Sequence, residues 1–236
     1  MKRILDASAS DFANMSASDL VKSILLTEGR TISAEVICNY EPPTENVTHA
    51  ELCAAFGADI ITLDHYDPDN PVIKGLNKEA IKNDKPIEEL KHLLGLPIAV
   101  NMAVTSQHEN GFLYTRRYNP ERFAKNVSQG ADIVFLYGDP QSNSTMEDLI
   151  EAVRTSKSVF GDEILLVGVP NVYFPPPLDN STRAYYKEAH EKLLEAGAES
   201  LGLVMPGRSE GRRLNDSAEL LDHIHSNHGL GWLIMT

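Results

Sequence analysis

The chain has 236 residues, 42% of them hydrophobic, and its 34 acidic against 21 basic side chains give a net charge of −13. With no concentrated basic footprint to displace phosphate counterions, a nucleic-acid role is excluded, and no apolar run approaches the length of a membrane span. No Pro/Gly/Ser-rich linker interrupts the sequence, so one domain over residues 1–236 is the economical reading, with an N-terminal extension and helix over 1–30 and βα repeats over 31–236.

Residues 2–5 read as a short strand or turn, and a helix follows over about residues 16–27, ending at Gly29. Apolar runs then begin near Ile32, Ile60, Leu96, Ala131, Glu163, Glu199 and Gly231, at spacings of 28 to 36 residues. One strand, one helix and two loops need about 30 residues, so each spacing holds one βα unit. The runs are continuous rather than alternating, as in parallel strands covered on both faces.

Three seams repeat a short phrase: Gly57-Ala58-Asp59, Gly130-Ala131-Asp132 and Gly197-Ala198-Glu199 each precede an apolar strand. A glycine just past a helix takes the left-handed conformation that other residues resist, and the acid is expected to turn the chain outward before the strand. Helix starts are marked by Thr48 with Glu51, Asn119 before Pro120, Ser144 with Glu147, and Asp216 or Ser217.

The pattern predicts an α/β fold, a TIM (β/α)8-type barrel, with an open doubly wound sheet as the alternative. The chain stops in or just after a seventh strand, so the barrel is expected to be incomplete. Either residues 2–6 or a partner chain closes it, or the polypeptide is a truncated version of a longer one. Truncation is the preferred reading, and the exposed Leu233, Ile234 and Met235 then favour a homo-oligomer. Without an apolar leader at the N-terminus the expected location is the cytoplasm, and Cys38 and Cys53, on a strand and a helix, are expected to be free thiols.

In a barrel, function gathers at the C-terminal ends of the strands. Alternation in the first strand puts Glu35 with Ile37 and Asn39 on one face, and a carboxylate between strand and helix would lack partners, so Glu35 is expected in the lumen. Glu35, Asp64 and His65 are the candidate catalytic residues, with a buried structural acid as the equal alternative for Glu35. Asp64, within its strand, is also the candidate ligand for Mg²⁺ or Mn²⁺. Asp67 and Asp69 read more simply as turn chemistry. Asn39, Asn101, Asp139 and Asn171 follow other strands and are candidate substrate contacts, joined by Arg208 and Arg212 from a Gly- and Arg-containing loop suited to an anion.

Residues 67–85 and 105–118 are long for βα connections and read as lids or binding elements, and Pro175, Pro176 and Pro177 suit a fixed wall. No core strand carries a lysine for Schiff-base chemistry, and neither GxSxG nor HExxH occurs.

The Gly-Ala-acid seams, over about residues 30–236, resemble those of the phosphate-binding (β/α)8 barrels, and the whole chain is similar to a bacterial phosphoenolpyruvate phosphonomutase-like family. The Lys-Cys-Gly loop of the true mutases and isocitrate lyases is absent, so no catalytic residue is carried over. The resemblance implies the barrel fold and a small anionic metabolite as ligand. The expectation is therefore a lyase- or isomerase-type enzyme acting on a small phosphorylated or carboxylated metabolite. The alternative is a non-catalytic metabolite-binding or interaction protein with a truncated barrel.

Overall fold

A computed structural model describes residues 1–77, 85–105, 114–138, 144–170, 180–204 and 214–234. A 3-10 turn (Ile4–Asp6) and helices α1 (Ala9–Phe12) and α2 (Ala17–Leu25) lead into β1 (Ser33–Ile37), α3 (His49–Ala55), β2 (Ile60–Asp64), α4 (Pro86–Leu94) and β3 (Ile98–Val104). Then come α5 (Pro120–Ser128), β4 (Ile133–Gly138), α6 (Met146–Phe160), β5 (Leu165–Val169), α7 (Asn180–Glu195), β6 (Ser200–Val204), α8 (Leu214–His228) and β7 (Gly231–Ile234). All neighbouring strands are parallel, in the order β1 to β7. A doubly wound sheet reverses its strand order midway, so this sequential order identifies an incomplete barrel.

The register sorts side chains into two cores. Val36, Leu63, Val100, Val134 and Leu166 face the helices, whereas Ala99, Ile133, Phe135, Leu165 and Val167 face the lumen. Into the N-terminal end of the lumen pack Ile4 and the Ala17, Leu20 and Ile24 face of α2. Ser16 caps that helix by accepting from Asp19 N–H, and Asp162 anchors its first turn, its backbone oxygen accepting from Ala17 N–H at 3.0 Å and its carboxylate from the Ser18 hydroxyl at 2.7 Å. The N-terminal end of the lumen is thus sealed with apolar side chains.

Residues 2–6 do not supply a closing strand, because Ile4–Asp6 winds into a 3-10 turn whose Ile4 joins the lumen core. Among the described residues β1 and β7 remain unpaired with each other. Between them runs a groove of about 710 Å³ lined by Ile24, Leu25, Leu221, Leu230, Trp232 and Leu233. Trp232 crosses Phe135 edge to face at 5.2 Å and donates to Ser200 Oγ at 3.0 Å, which ties β7 to the lumen.

The seams follow the glycine argument but not the argument for the acid. Gly130 and Gly197 have φ of +110° and +111°, and a Cβ there would meet Glu88 Cγ at 2.9 Å and Lys157 Cγ at 2.7 Å. The acids turn inward. Asp59 accepts from Ile32 N–H at 2.8 Å, Asp132 from Ile98 N–H at 2.9 Å, and Glu199 from Leu166 N–H at 2.9 Å. Each acid's own N–H returns to the carbonyl of the same residue, so the acid clasps the foot of the preceding strand. The physical reason is that a strand's first N–H lies where its partner has not yet begun, and a carboxylate one residue ahead of that partner satisfies it.

Two helix starts shift. Thr145, not Ser144, caps α6 and exchanges hydrogen bonds with Asp148, because the run Ser-Thr-Met-Glu-Asp offers the box in two registers. Helix α8 begins at Leu214, ahead of Asp216. The Thr48 and Glu51 box and the Asn119 cap before Pro120 form as expected. Cys38 falls one residue past β1 in the helix-facing core, and both cysteines are free thiols. The proline run 175–177 and Met235 lie outside the described residues.

Two stability predictions follow. Burial pushes the Asp132 carboxyl above its ordinary range despite Lys91, so its value to the clasp is as an acceptor more than as a charge. Asp132→Ala should cost about 2–3 kcal/mol in urea unfolding, and Asp132→Asn, which keeps an oxygen, clearly less; equal losses would refute the clasp. His190 on α7 is fully buried, and neither ring nitrogen has a hydrogen-bond partner among the described residues. Burial, helped by His228 and His223, pushes its pKa down to about 3. Between there and the unfolded value near 6.5 the unfolded chain binds the extra proton, so stability falls with pH by up to about 1.4 kcal/mol per unit. His190→Leu should flatten that acid limb between pH 7 and 5; an unchanged limb would place the sensitivity elsewhere.

Candidate active site

Three neighbouring strands and one returning loop converge at the C-terminal end of the lumen. Glu35 of β1 lies in register with Thr62, and Ile37 with Asp64, which puts Glu35 and Asp64 on the same lumen-facing side of the sheet. Asn101 of β3 bridges them, its Nδ2 donating to Glu35 Oε2 at 2.8 Å and to Asp64 Oδ1 at 3.4 Å. Asp64 and Asn101 are buried, at 5% and 8% exposure. Glu35 keeps an open flank while its carboxylate end reaches into this enclosed neighbourhood.

The counter-charge comes from Arg116, itself 3% exposed, whose Nη1 donates to Asp64 Oδ1 at 2.5 Å. The chain returning toward α5 is pinned to β3 by two short backbone bonds, Ala103 N–H to Arg116 O and Tyr118 N–H to Ala103 O, both 2.7 Å. Residues around Arg117 thus form an extra parallel rung beside Ala103. The guanidinium lies 5.5 Å from the centroid of the Tyr137 ring of β4, within cation–π range.

His65 ends β2 with φ +56°, a left-handed conformation that costs a non-glycine residue about 1 kcal/mol or more. That turn sets its ring against Asp64, with Nε2 3.6 Å from Oδ2, and brings Nδ1 to 3.2 Å from Thr115 Oγ1. Burial, reinforced by Arg116 and opposed by Asp64, lowers the His65 pKa, so the neutral imidazole prevails near neutral pH. Burial, then the charge of Asp64, raises the Glu35 pKa against the pull of Asn101 and Arg116. A carboxyl so poised, accessible on one side and surrounded on the other, is suited to hand a proton to or from a ligand.

Arg122 and Lys125 of α5 hold the returning loop. Arg122 of α5 donates to Asp69 at 2.6 Å, to Asp67 at 2.8 Å and to Thr115 O at 2.5 Å, and Lys125 also pairs with Asp69. Asp69 N–H closes a turn on Asp67 Oδ1 at 3.1 Å. Asp67 and Asp69 therefore serve turn chemistry and loop anchoring, in keeping with the simpler sequence reading. Burial pushes the Cys38 thiol up to about 12, which with its helix-facing position leaves it inert.

Of the residues singled out from sequence, Glu35, Asp64, His65 and Asn101 come together. Asn39 is exposed in the turn after β1, and no described contact joins it to the cluster. Asp139, Asn171, Arg208 and Arg212 lie outside the described residues. Arg116 was missed, although the segment 105–118 stood out by length; adjacent arginines closing a loop beside an acidic strand end are the signal that could have found it. The Mg²⁺ or Mn²⁺ expected at Asp64 meets a set of hydrogen-bond donors there, and among the described residues no group of three His, Cys, Asp or Glu is arranged to hold a metal ion.

Solved structures share the architecture. The carboxyl transferase domain of Rhizobium etli pyruvate carboxylase, solved with pyruvate, aligns with 98% of this chain and 40% of its own at TM-score 0.60 and 12% identity. A candidate phosphonomutase from Burkholderia cenocepacia J2315 aligns with 88% and 77% at 0.55 and 14%. A 2,3-dimethylmalate lyase, a member of the PEP mutase/isocitrate lyase superfamily, aligns with 94% and 78% at 0.51 and 10%. At these identities the likeness is one of fold, and it includes the phosphonomutase type expected from the sequence. No curated protein sequence matches. Residues 5–236 match the family described as a domain of unknown function, DUF7916, and the chain belongs to that family.

Proposed function

We propose that this protein is a lyase-type enzyme acting on a small carboxylated or phosphorylated metabolite, with Glu35 as the group that moves the proton. The observation that carries this reading is the placement of Glu35: on the lumen face, open on one flank, its pKa raised by burial and Asp64, and held by Asn101. Carbon–carbon cleavage or enolisation next to a carboxylate needs a base near neutral pH and fixed donors where negative charge develops. Glu35 meets the first need. The fixed positive charge of Arg116 serves the second, Asn101 orients Glu35 by donating to it, and neutral His65 supplies a hydrogen bond or a second proton relay. The fold neighbours support the reading in kind, since they include a candidate phosphonomutase and a 2,3-dimethylmalate lyase.

Asp139, Asn171, Arg208 and Arg212 stay in the proposal by their places after β4, β5 and β6, the two arginines as contacts to the metabolite's anion. An isomerase outcome uses the same proton transfer without release of a fragment. A homo-oligomer belongs to the same proposal, on the grounds of the unpaired edges of β1 and β7 and the apolar groove between them. No helix among the described residues is long and apolar enough to cross a membrane, and a cytoplasmic site of action is part of the proposal.

The test is a thermal-shift panel of two- to six-carbon mono- and dicarboxylates and their phosphorylated counterparts. A ligand at a hundredfold excess over its Kd should raise Tm by roughly 5–10 °C. A hit that is turned over should lose about 10²- to 10⁴-fold in kcat in Glu35→Gln while the Tm shift persists. Turnover unchanged in Glu35→Gln would remove that residue from the chemistry, and binding without turnover would favour a metabolite-binding protein.

A further inference from the structure

One oxygen of the Asp64 carboxylate is already taken by a cation. Arg116 Nη1 lies 2.5 Å from Asp64 Oδ1, and the two side chains are 4% and 7% exposed. We infer that Arg116 takes the place of a divalent metal ion at Asp64, so that the site carries its own fixed, non-exchangeable cation and offers Mg²⁺ or Mn²⁺ no tight position.

Three observations converge on this. A guanidinium stays protonated at any pH the fold survives, so the charge at Asp64 is permanent. Among the described residues the oxygen that Arg116 holds meets a second donor: Asn101 turns its Nδ2, not its oxygen, toward both Asp64 Oδ1 and Glu35. Mg²⁺ requires near-octahedral oxygen ligation at about 2.0–2.1 Å, which a carboxylate shared between an arginine and an amide N–H₂ does not provide. Finally, Arg116 is buried and held in place, its carbonyl bonded to Ala103 N–H and its guanidinium beside Tyr137. An incoming ion would have to displace a buried guanidinium from its carboxylate, leaving that charge uncompensated.

The consequence concerns ligand choice. A fixed cation in the site favours a ligand that carries a carboxylate or phosphate, at a position set by the protein. A ligand of this site is then held by donors alone, and a chelator should leave its binding intact. This inference stands on the Asp64 geometry and does not depend on the chemistry proposed for Glu35.

The experiment uses Mn²⁺ as probe. An ion on Asp64 would lie within a few ångströms of His65, whose Nε2 is 3.6 Å from the other carboxylate oxygen. One equivalent of Mn²⁺ added to the wild-type protein should leave the His65 ring signals in the NMR spectrum unbroadened. Selective loss of those signals would overturn the inference, and this measurement needs no variant of the pair itself. Arg116→Met, checked for folding by circular dichroism, should gain at least tenfold in Mn²⁺ affinity by electron paramagnetic resonance, the gain vanishing when Asp64→Asn is added. A folded Arg116→Met that gains nothing would overturn the equivalence of the two cations.

Discussion

Asp64 carries a carboxylate into a part of the lumen where water does not follow, and a carboxylate in that position demands a counter-charge. Two unit charges about 4 Å apart at an effective dielectric near 20 interact by about 4 kcal/mol, and breaking a buried pair by removing one partner costs about 3–5 kcal/mol. The arginine that answers, Arg116, lies fifty-two residues further along and outside the named strands. Getting it there dictates how the β3 to α5 connection runs. The connection must double back beside β3, and it does so through the rung at Ala103.

The doubled-back rung needs support in turn, and Arg122 supplies it. Arg122, buried near the start of α5, reaches the backbone of Thr115 and the carboxylates of Asp67 and Asp69 together. Helix α5 is itself fixed at its start by the Asn119 cap, with Pro120 in its first turn, and Tyr118 donates to Ala152 O of α6. Exposed ion pairs contribute little singly, but Arg122 is buried and hydrogen-bonded on three sides, which makes it a positioning residue for the loop that holds Arg116. The acidic turn after β2 and the cationic pin at Asp64 are thus parts of one device.

Much of this was legible in the sequence, for reasons that differ by residue. The strand count came from continuous apolar runs at a βα spacing, a signal that tertiary context rarely reverses. Glu35, Asp64 and Asn101 followed from period-two alternation and the barrel rule that strand ends carry chemistry. Arg116 did not follow, because its role is set by where a long connection returns, and no local periodicity encodes that path. The seam acids were noticed but misread: a carboxylate before a strand has a solvent-facing and a strand-facing option. The choice depends on a neighbour's unpaired N–H some thirty residues away, as at Ile98 for Asp132. The α6 cap shows a milder ambiguity, in which Ser144 and Thr145 each have an acid three positions on, and propensity alone does not choose between them.

The two ends of the lumen explain why the chemistry sits where it does. At the N-terminal end, Ile4 and the apolar face of α2 plug the space against Ile133, Leu165 and Val167, an apolar floor. At the other end the floor gives way to Asn101, Asp64 and Glu35 within one or two residues along each strand. Burial, then the charge of Asp64, raises the Glu35 pKa, and the same burial strengthens the pairing of Asp64 with Arg116. His65 then adopts its left-handed turn because the alternative would swing the imidazole away from Asp64 and Thr115, and the surrounding contacts are strong enough to hold the strain.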